Sequence, residues 1–263
     1  MRASAGADGA VLMERLFASR VFLALVILVS ALAGAAGYAA VDRLGAGTPL
    51  DPGRARVEKI VRDYVLANPE IIPEAMDRLR DNESAKAVAA SRDAIVKPYA
   101  AAWMGNPKGD VTITEFYDYN CGFCRAVLPT LEKLVATDPN VRVVFRELPI
   151  LAEESGQAAR LSLAAAEQGR FMPFHNALYA AGRVTPQTLE AAAGTAGLDR
   201  ARAAEAAASP RVAEEIDANM ALAGKLNMTG TPAWVIGDRT YSGALSYEAL
   251  VDAVKAAREA KAG

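Results

Sequence analysis

Cys121 and Cys124 are the only cysteines among 263 residues, and they are separated by Gly122 and Phe123. Two thiols at that spacing can close a disulfide on themselves and open it again. Their setting supports this chemistry. The run Val111–Asp118 alternates as a strand does, and the run Arg125–Ala136 carries Val127, Leu128, Leu131, Leu134 and Val135 at helical spacing. A Cys-x-x-Cys pair where a strand meets a helix is the arrangement of a redox dithiol. Only a thiolate attacks a disulfide. The unsatisfied N–H groups and the dipole at a helix N-terminus favour a thiolate there. Cys121 occupies that place and is the expected nucleophile. Cys124 lies one turn into the helix, close enough to close the disulfide, and is the expected resolving thiol, the less exposed of the two.

Other uses of two cysteines fit less well. Zinc takes about four ligands, and the chain offers two thiols and one histidine, His175, far away in sequence; no metal and no bound cofactor are expected. A structural disulfide stabilises more as its loop lengthens, and this loop is close to the shortest possible. Two inert buried thiols would need neither this spacing nor this junction.

The chain around the pair reads as α/β. Its net charge is −2, with no basic stripe carrying interleaved aromatics, so no nucleic-acid partner is expected. Residues 21–41 contain no charge and are long enough to span a bilayer. They are expected to be an N-terminal transmembrane anchor behind a cytoplasmic stub, 1–20. The alternative is a cleaved signal sequence, because the end of the stretch is rich in small residues. Oxidising dithiol chemistry belongs outside the cytosol, which in a bacterium means the periplasm.

Residues 42–54 hold three glycines and two prolines and read as a linker. A helical N-terminal region follows at 55–98. Its first helix has one apolar face, Val57, Ile60, Val61, Tyr64 and Val65. Asn68-Pro69-Glu70 reads as an N-cap and restart for a second helix with Ile71, Ile72, Ala75, Met76 and Leu79. A third runs from about Ser84 to Val96. Those apolar stripes must be covered, either by the main domain or by another copy of the chain in a homo-oligomer. The remaining residues, 99–263, give strand-helix-strand, then helices only over about 152–228, with starts at Thr185-Pro186, Asp199 and Ser209-Pro210. Two short strands from Ala233 and a last helix, about Ser246–Ala260, close the chain. This order is a thioredoxin fold interrupted by an inserted helical subdomain.

Gly230-Thr231-Pro232 comes immediately before the third strand. Proline cannot donate to a sheet ladder, and a cis X-Pro bond would turn the chain sharply. In this fold it would place Pro232 beside Cys121 and leave the Thr231 backbone to pair with an extended substrate.

Three segments together, Phe116–Cys124, Phe145–Ile150 and Gly230–Gly237, resemble the DsbA family of thiol-disulfide oxidoreductases. The segment Ile60–Glu70 resembles the helical region of its ScsC-like branch, some members of which oligomerise through it and isomerise disulfides. The resemblance implies a periplasmic enzyme in which Cys121 attacks, Cys124 resolves and Pro232 is cis. Its partners would be exported proteins with thiols or disulfides and a membrane redox partner. The family often has proline-histidine between its cysteines, whereas this chain has Gly122-Phe123; Thr231 is shared with isomerase-type relatives. Glu115, six residues before Cys121, matches a family position thought to carry protons to and from Cys124, though a solvated edge charge would look the same in sequence. Arg146 on the next strand is its expected partner. His175 reads as a packing residue. Phe123, Trp234, Phe171, Met172 and Phe174 would either line a peptide groove or belong to the core. Isomerase or reductase activity is the mechanistic alternative; a periplasmic chaperone or Cu(I)-binding module is the alternative of another class.

Overall fold

The computed structural model describes residues 23–41 and 52–262, in two compact units, 1–73 and 74–263. In the first unit, helix α1 (Leu23–Val41) has a mean hydropathy of 2.1 and is long and apolar enough to cross a membrane. The expected stub, 1–20, lies outside the described residues, as does the expected linker up to residue 51. Helix α2 (Pro52–Ala67) takes in the last three linker positions and leaves Val57, Ile60, Val61 and Tyr64 exposed. Asn68 does not cap the next helix: its side-chain amide donates to the Tyr64 carbonyl at 2.9 Å and closes the end of α2 instead.

Helix α3 (Ile71–Ala90) runs unbroken past Ser84, where the sequence suggested a new start. The Ser84 hydroxyl is used elsewhere, 3.0 Å from the Thr240 hydroxyl. A short helix α4 (Arg92–Val96) follows and ends ahead of Pro98. The sheet is then assembled from β1 (Trp103–Gly105), β2 (Val111–Tyr117), β3 (Val141–Glu147), β4 (Ala233–Ile236) and β5 (Arg239–Ser242), in the order β1-β3-β2-β4-β5. Only β2 and β3 are parallel, joined through helix α5 (Gly122–Thr137). Between β3 and β4 stand five helices, α6 (Glu153–Glu167), α7 (Phe171–Ala181), α8 (Pro186–Thr195), α9 (Arg200–Ala208) and α10 (Pro210–Lys225). Thr185, Asp199 and Ser209 cap α8, α9 and α10 with side-chain oxygens, as their sequence signatures required. Helix α11 (Tyr247–Ala262) ends the fold.

β2 is the central strand, buried on both faces. Side chains alternate across it. Ile113, Glu115 and Tyr117 share one face with Val143, Phe145 and Trp234, in the core that also holds the apolar residues of α5, α7 and α11. Thr114 and Phe116 share the other face with Val235, in a second core with Ile95 and Leu222.

Candidate active site

The dithiol lies just past the C-terminal end of β2. Cys121 is the N-cap of α5: its backbone is extended, and its Sγ accepts the Cys124 N–H at 3.3 Å. A thiol in this place substitutes for the serine or aspartate that usually caps a helix. The Thr231–Pro232 peptide is cis, and the Thr231 carbonyl accepts the Cys121 S–H at 3.2 Å. The fold thus joins two segments 110 residues apart in sequence. Both thiols are free, and both residues are buried, Cys121 at 4% exposure and Cys124 at 1%. The expected order of exposure holds, yet Cys121 is more covered than a helix-capping position alone would suggest, because the Thr231–Pro232 loop lies against it.

Burial pushes the Cys124 thiol far above its ordinary range, and the nearby Glu115 carboxylate pushes it further. Glu115 is on the central strand and 3% exposed, so the solvated-edge reading is excluded. Burial raises its own pKa well above a carboxylate's, and negative charge on Cys121 adds to this. Arg146 is not its partner. Glu115 stands opposite Phe145 in the register, whereas Arg146 stands opposite Phe116 and points to the other face. There it binds Glu215 Oε1 at 2.9 Å and Asn219 Oδ1 at 2.8 Å, together with the Ala94 and Lys97 carbonyls.

Asp118 and Asn120, which the sequence reading did not single out, fix the turn that presents Cys121. The buried Asp118 carboxylate accepts the Asn120 N–H, the Ser155 hydroxyl and the N–H groups of Ile150 and Leu151, at 2.6 to 2.9 Å. Asn120 reaches the Ser155 hydroxyl and the Val184 N–H, tying the turn to the inserted helices. The available signal was two short polar residues, Asp118 and Asn120, either side of Tyr119 between an apolar strand and the cysteines. Glu147, also missed, is the last residue of a strand that carries Arg142 and Arg146 as well, so its type did not set it apart as that of Glu115 did.

His175 is a packing residue. Its ring lies against Phe171 and Tyr179, its Nδ1 is 3.0 Å from the Tyr119 hydroxyl, and burial lowers its pKa to about 3, so it is neutral. Trp234, Phe171 and Phe174 are core side chains and Met172 is half-buried; of the expected groove only Phe123 is well exposed, at 69%. The Thr231 hydroxyl is buried without a hydrogen-bond partner among the described residues. Among those residues no three histidine, cysteine, aspartate or glutamate side chains gather as metal ligands would.

Residues 112–255 match the DSBA-like thioredoxin domain, and residues 54–86 match the copper resistance protein ScsC N-terminal domain. A thioredoxin-like oxidoreductase from Silicibacter pomeroyi is 42% identical; the alignment covers 64% of this chain and 98% of that one, with a TM-score of 0.61. A linker-deletion variant of Proteus mirabilis ScsC is 28% identical over 81% of this chain and 99% of its own, with a TM-score of 0.64. Na(+)/H(+) antiporter NhaA 1 of Salinispora arenicola is 31% identical over 160 residues, 58% of this chain. The chain spans only about a quarter, 24%, of that relative's length.

Proposed function

The chain belongs to the DSBA-like thioredoxin-domain family, and from that premise we propose that it is a protein thiol-disulfide oxidoreductase with Cys121 and Cys124 as its exchanging dithiol, forming or rearranging disulfides in exported proteins. The observation that carries this reading is the contact of the helix-capping Cys121 thiol with the cis-proline loop. In the oxidised enzyme a substrate thiolate attacks Cys121, the Cys121–Cys124 bond breaks, and Cys124 leaves with the electron pair. A second substrate thiolate then releases Cys121, and the substrate disulfide carries two electrons fewer. In reverse, the Cys121 thiolate attacks a substrate disulfide and Cys124 resolves the mixed disulfide.

Glu115 serves Cys124. A thiol held so strongly in its protonated form needs a base to resolve a mixed disulfide and an acid when it leaves. A buried carboxyl with a raised pKa can be either. Phe123, between the cysteines, and Ile150 and Leu151, whose N–H groups bind Asp118, are exposed apolar side chains and would contact the apolar flanks of a substrate cysteine. Thr231 and Pro232 would pair with the substrate backbone.

Equilibration of the full-length protein with glutathione buffers tests this. A potential between about −120 and −270 mV is that of an exchanging dithiol; one below about −300 mV would mark an inert or structural pair. The exposed apolar face of α2, within the segment matched to the ScsC N-terminal domain, favours a second reading, an oligomeric isomerase assembled through residues 55–98. Light scattering with and without residues 52–67 distinguishes it. We place the catalytic unit in the periplasm, tethered by α1 to the inner membrane, with signal cleavage as the alternative. N-terminal mass analysis of the protein recovered from membranes decides between them.

A further inference from the structure

Two buried carboxyl groups lie on the dithiol face of the sheet, and the chemistry above uses only Glu115. Glu147 is the other. It stands opposite Tyr117 in the register of β2 and β3, and the Tyr117 hydroxyl donates to its Oε1. Its Oε2 is buried with no hydrogen-bond partner among the described residues. The titratable groups around it are Tyr117 on β2, Asp118 and Tyr119 in the turn beyond, and Tyr179 and the neutral His175 on α7. None is a cation. A carboxylate with an unsatisfied oxygen and no counter-ion is costly to bury, so the group rests as the neutral acid. Burial holds its pKa at about 8 against the hydroxyls of Tyr117 and Ser162, and the Asp118 carboxylate adds to the rise.

Hydrogen bonds lead from Glu147 to the turn that carries Cys121. The Tyr117 hydroxyl lies 3.4 Å from that of Tyr119 and 3.3 Å from that of Ser162. The Tyr119 hydroxyl is 2.9 Å from Ser162 Oγ and 3.0 Å from His175 Nδ1. Tyr119 precedes Cys121 by two residues. The adjoining Asp118 carbonyl accepts the Cys121 N–H at 3.0 Å and the Tyr179 hydroxyl at 3.3 Å. The turn 118–121 therefore rests on a hydroxyl network that ends at Glu147.

We propose that Glu147 is a positioning residue for the dithiol: it anchors Tyr117 and Tyr119 beneath the turn presenting Cys121, and once ionised its charge repels the Asp118 carboxylate at the head of that turn, which loosens the turn and slows exchange. The inference rests on Cys121 and Cys124 being the exchanging pair. Glu147 gives no proton to substrate and touches neither thiol.

Two readouts on the full-length protein test it, both scanned from about pH 6 to 10. One is the rate constant of the reduced protein with glutathione disulfide; the other is the near-ultraviolet circular dichroism of the buried tyrosines. In the wild type both should change with a midpoint near 8, the rate falling roughly tenfold below its extrapolated value one unit above the midpoint. Glu147→Gln accepts the Tyr117 hydroxyl but cannot titrate, and should lose both transitions. Tyr117→Phe removes a hydrogen bond that lowers the Glu147 pKa, and should move the dichroism midpoint upward. Identical transitions in wild type and Glu147→Gln, or a Tyr117→Phe midpoint that stays in place, overturn the proposal. If no variant reacts with glutathione disulfide at any pH, the dithiol assignment has failed, and the dichroism still decides whether Glu147 governs the turn.

Discussion

Arg146 and Glu147 follow one another on β3 and point to opposite faces of the sheet. Both are buried, at 6% and 1% exposure. On its face, Arg146 meets an acid, an amide and two carbonyls, and holds the end of α4 and the helix α10 against the strand. On the other face, Glu147 and Glu115 have no cation beside them among the described residues, and both are pushed toward the neutral acid. A buried charge whose hydrogen bonds are nearly all met fixes structure. An acid buried without a counter-ion adds little stability, and its use is the proton that it can hold or release near neutral pH. That second kind occurs on the face that carries the thiols.

The largest effect expected on the acid face comes from removing what it serves. Cys121→Ser should lower exchange with a dithiol substrate by at least about 100-fold, since no other thiol is suitably placed. Cys124→Ser should leave the first attack intact and accumulate mixed disulfides, visible as trapped adducts on non-reducing gels. Trapping by Cys121→Ser instead would reverse the assigned roles.

Breaking the other face should cost stability. Arg146→Met leaves Glu215 and Asn219 without their partner and should destabilise by about 3–5 kcal/mol in urea unfolding, while the glutathione equilibrium stays nearly unchanged. Arg146→Met with Glu215→Leu should recover much of that loss. A variant that stays stable but shifts the redox equilibrium would mean that the two faces are not separate in function.

Glu115→Gln should do the reverse. The folded-state pKa of Glu115 lies above its unfolded value, so the wild type loses stability as pH rises through the carboxylate range. The variant does not pay this cost, and its advantage should grow from pH 5 to pH 8. Resolution of mixed disulfides should slow about tenfold at the same time. An equal effect at both pH values would show that Glu115 has a compensating partner.

How far the sequence made these features legible follows from what each depends on. The dithiol, the cis-proline loop and the helix starts at Thr185, Asp199 and Ser209 are local patterns, and each lies where its signature indicated. β1 was missed because three residues carry no usable period. Pairing Glu115 with Arg146 failed on parity: the register sets Glu115 against Phe145, and a shift of one residue changes the face. Trp234, Phe171 and Phe174 could be groove or core by type, and only the tertiary packing of the main core buries them. Asp118 and Glu147 act through partners distant in sequence, Asp118 on Ile150, Leu151 and Ser155 and Glu147 on Tyr117, which no local spacing reveals.

The smallest predicted effect concerns a second arginine, which shows what exposure takes away. Arg258 on α11 binds Asp110 twice at 2.9 Å and Asp138 at 2.8 and 3.0 Å, so in hydrogen bonds it rivals Arg146. Its side chain is 35% exposed, however, against 7% for Arg146. Water and salt screen such pairs, so Arg258→Ala should cost only about 1 kcal/mol, falling further in 1 M salt. Arg258 lowers the pKa of both aspartates. The contribution is therefore present above their unfolded values and is lost as pH falls through the folded ones. The cost of Arg258→Ala should be the same at pH 7 and pH 5 and should shrink as the aspartates become protonated in acid. If it instead equals that of Arg146→Met and resists salt, burial is not what separates the two arginines, and the contrast between the faces of the sheet must be drawn from their hydrogen-bond partners alone.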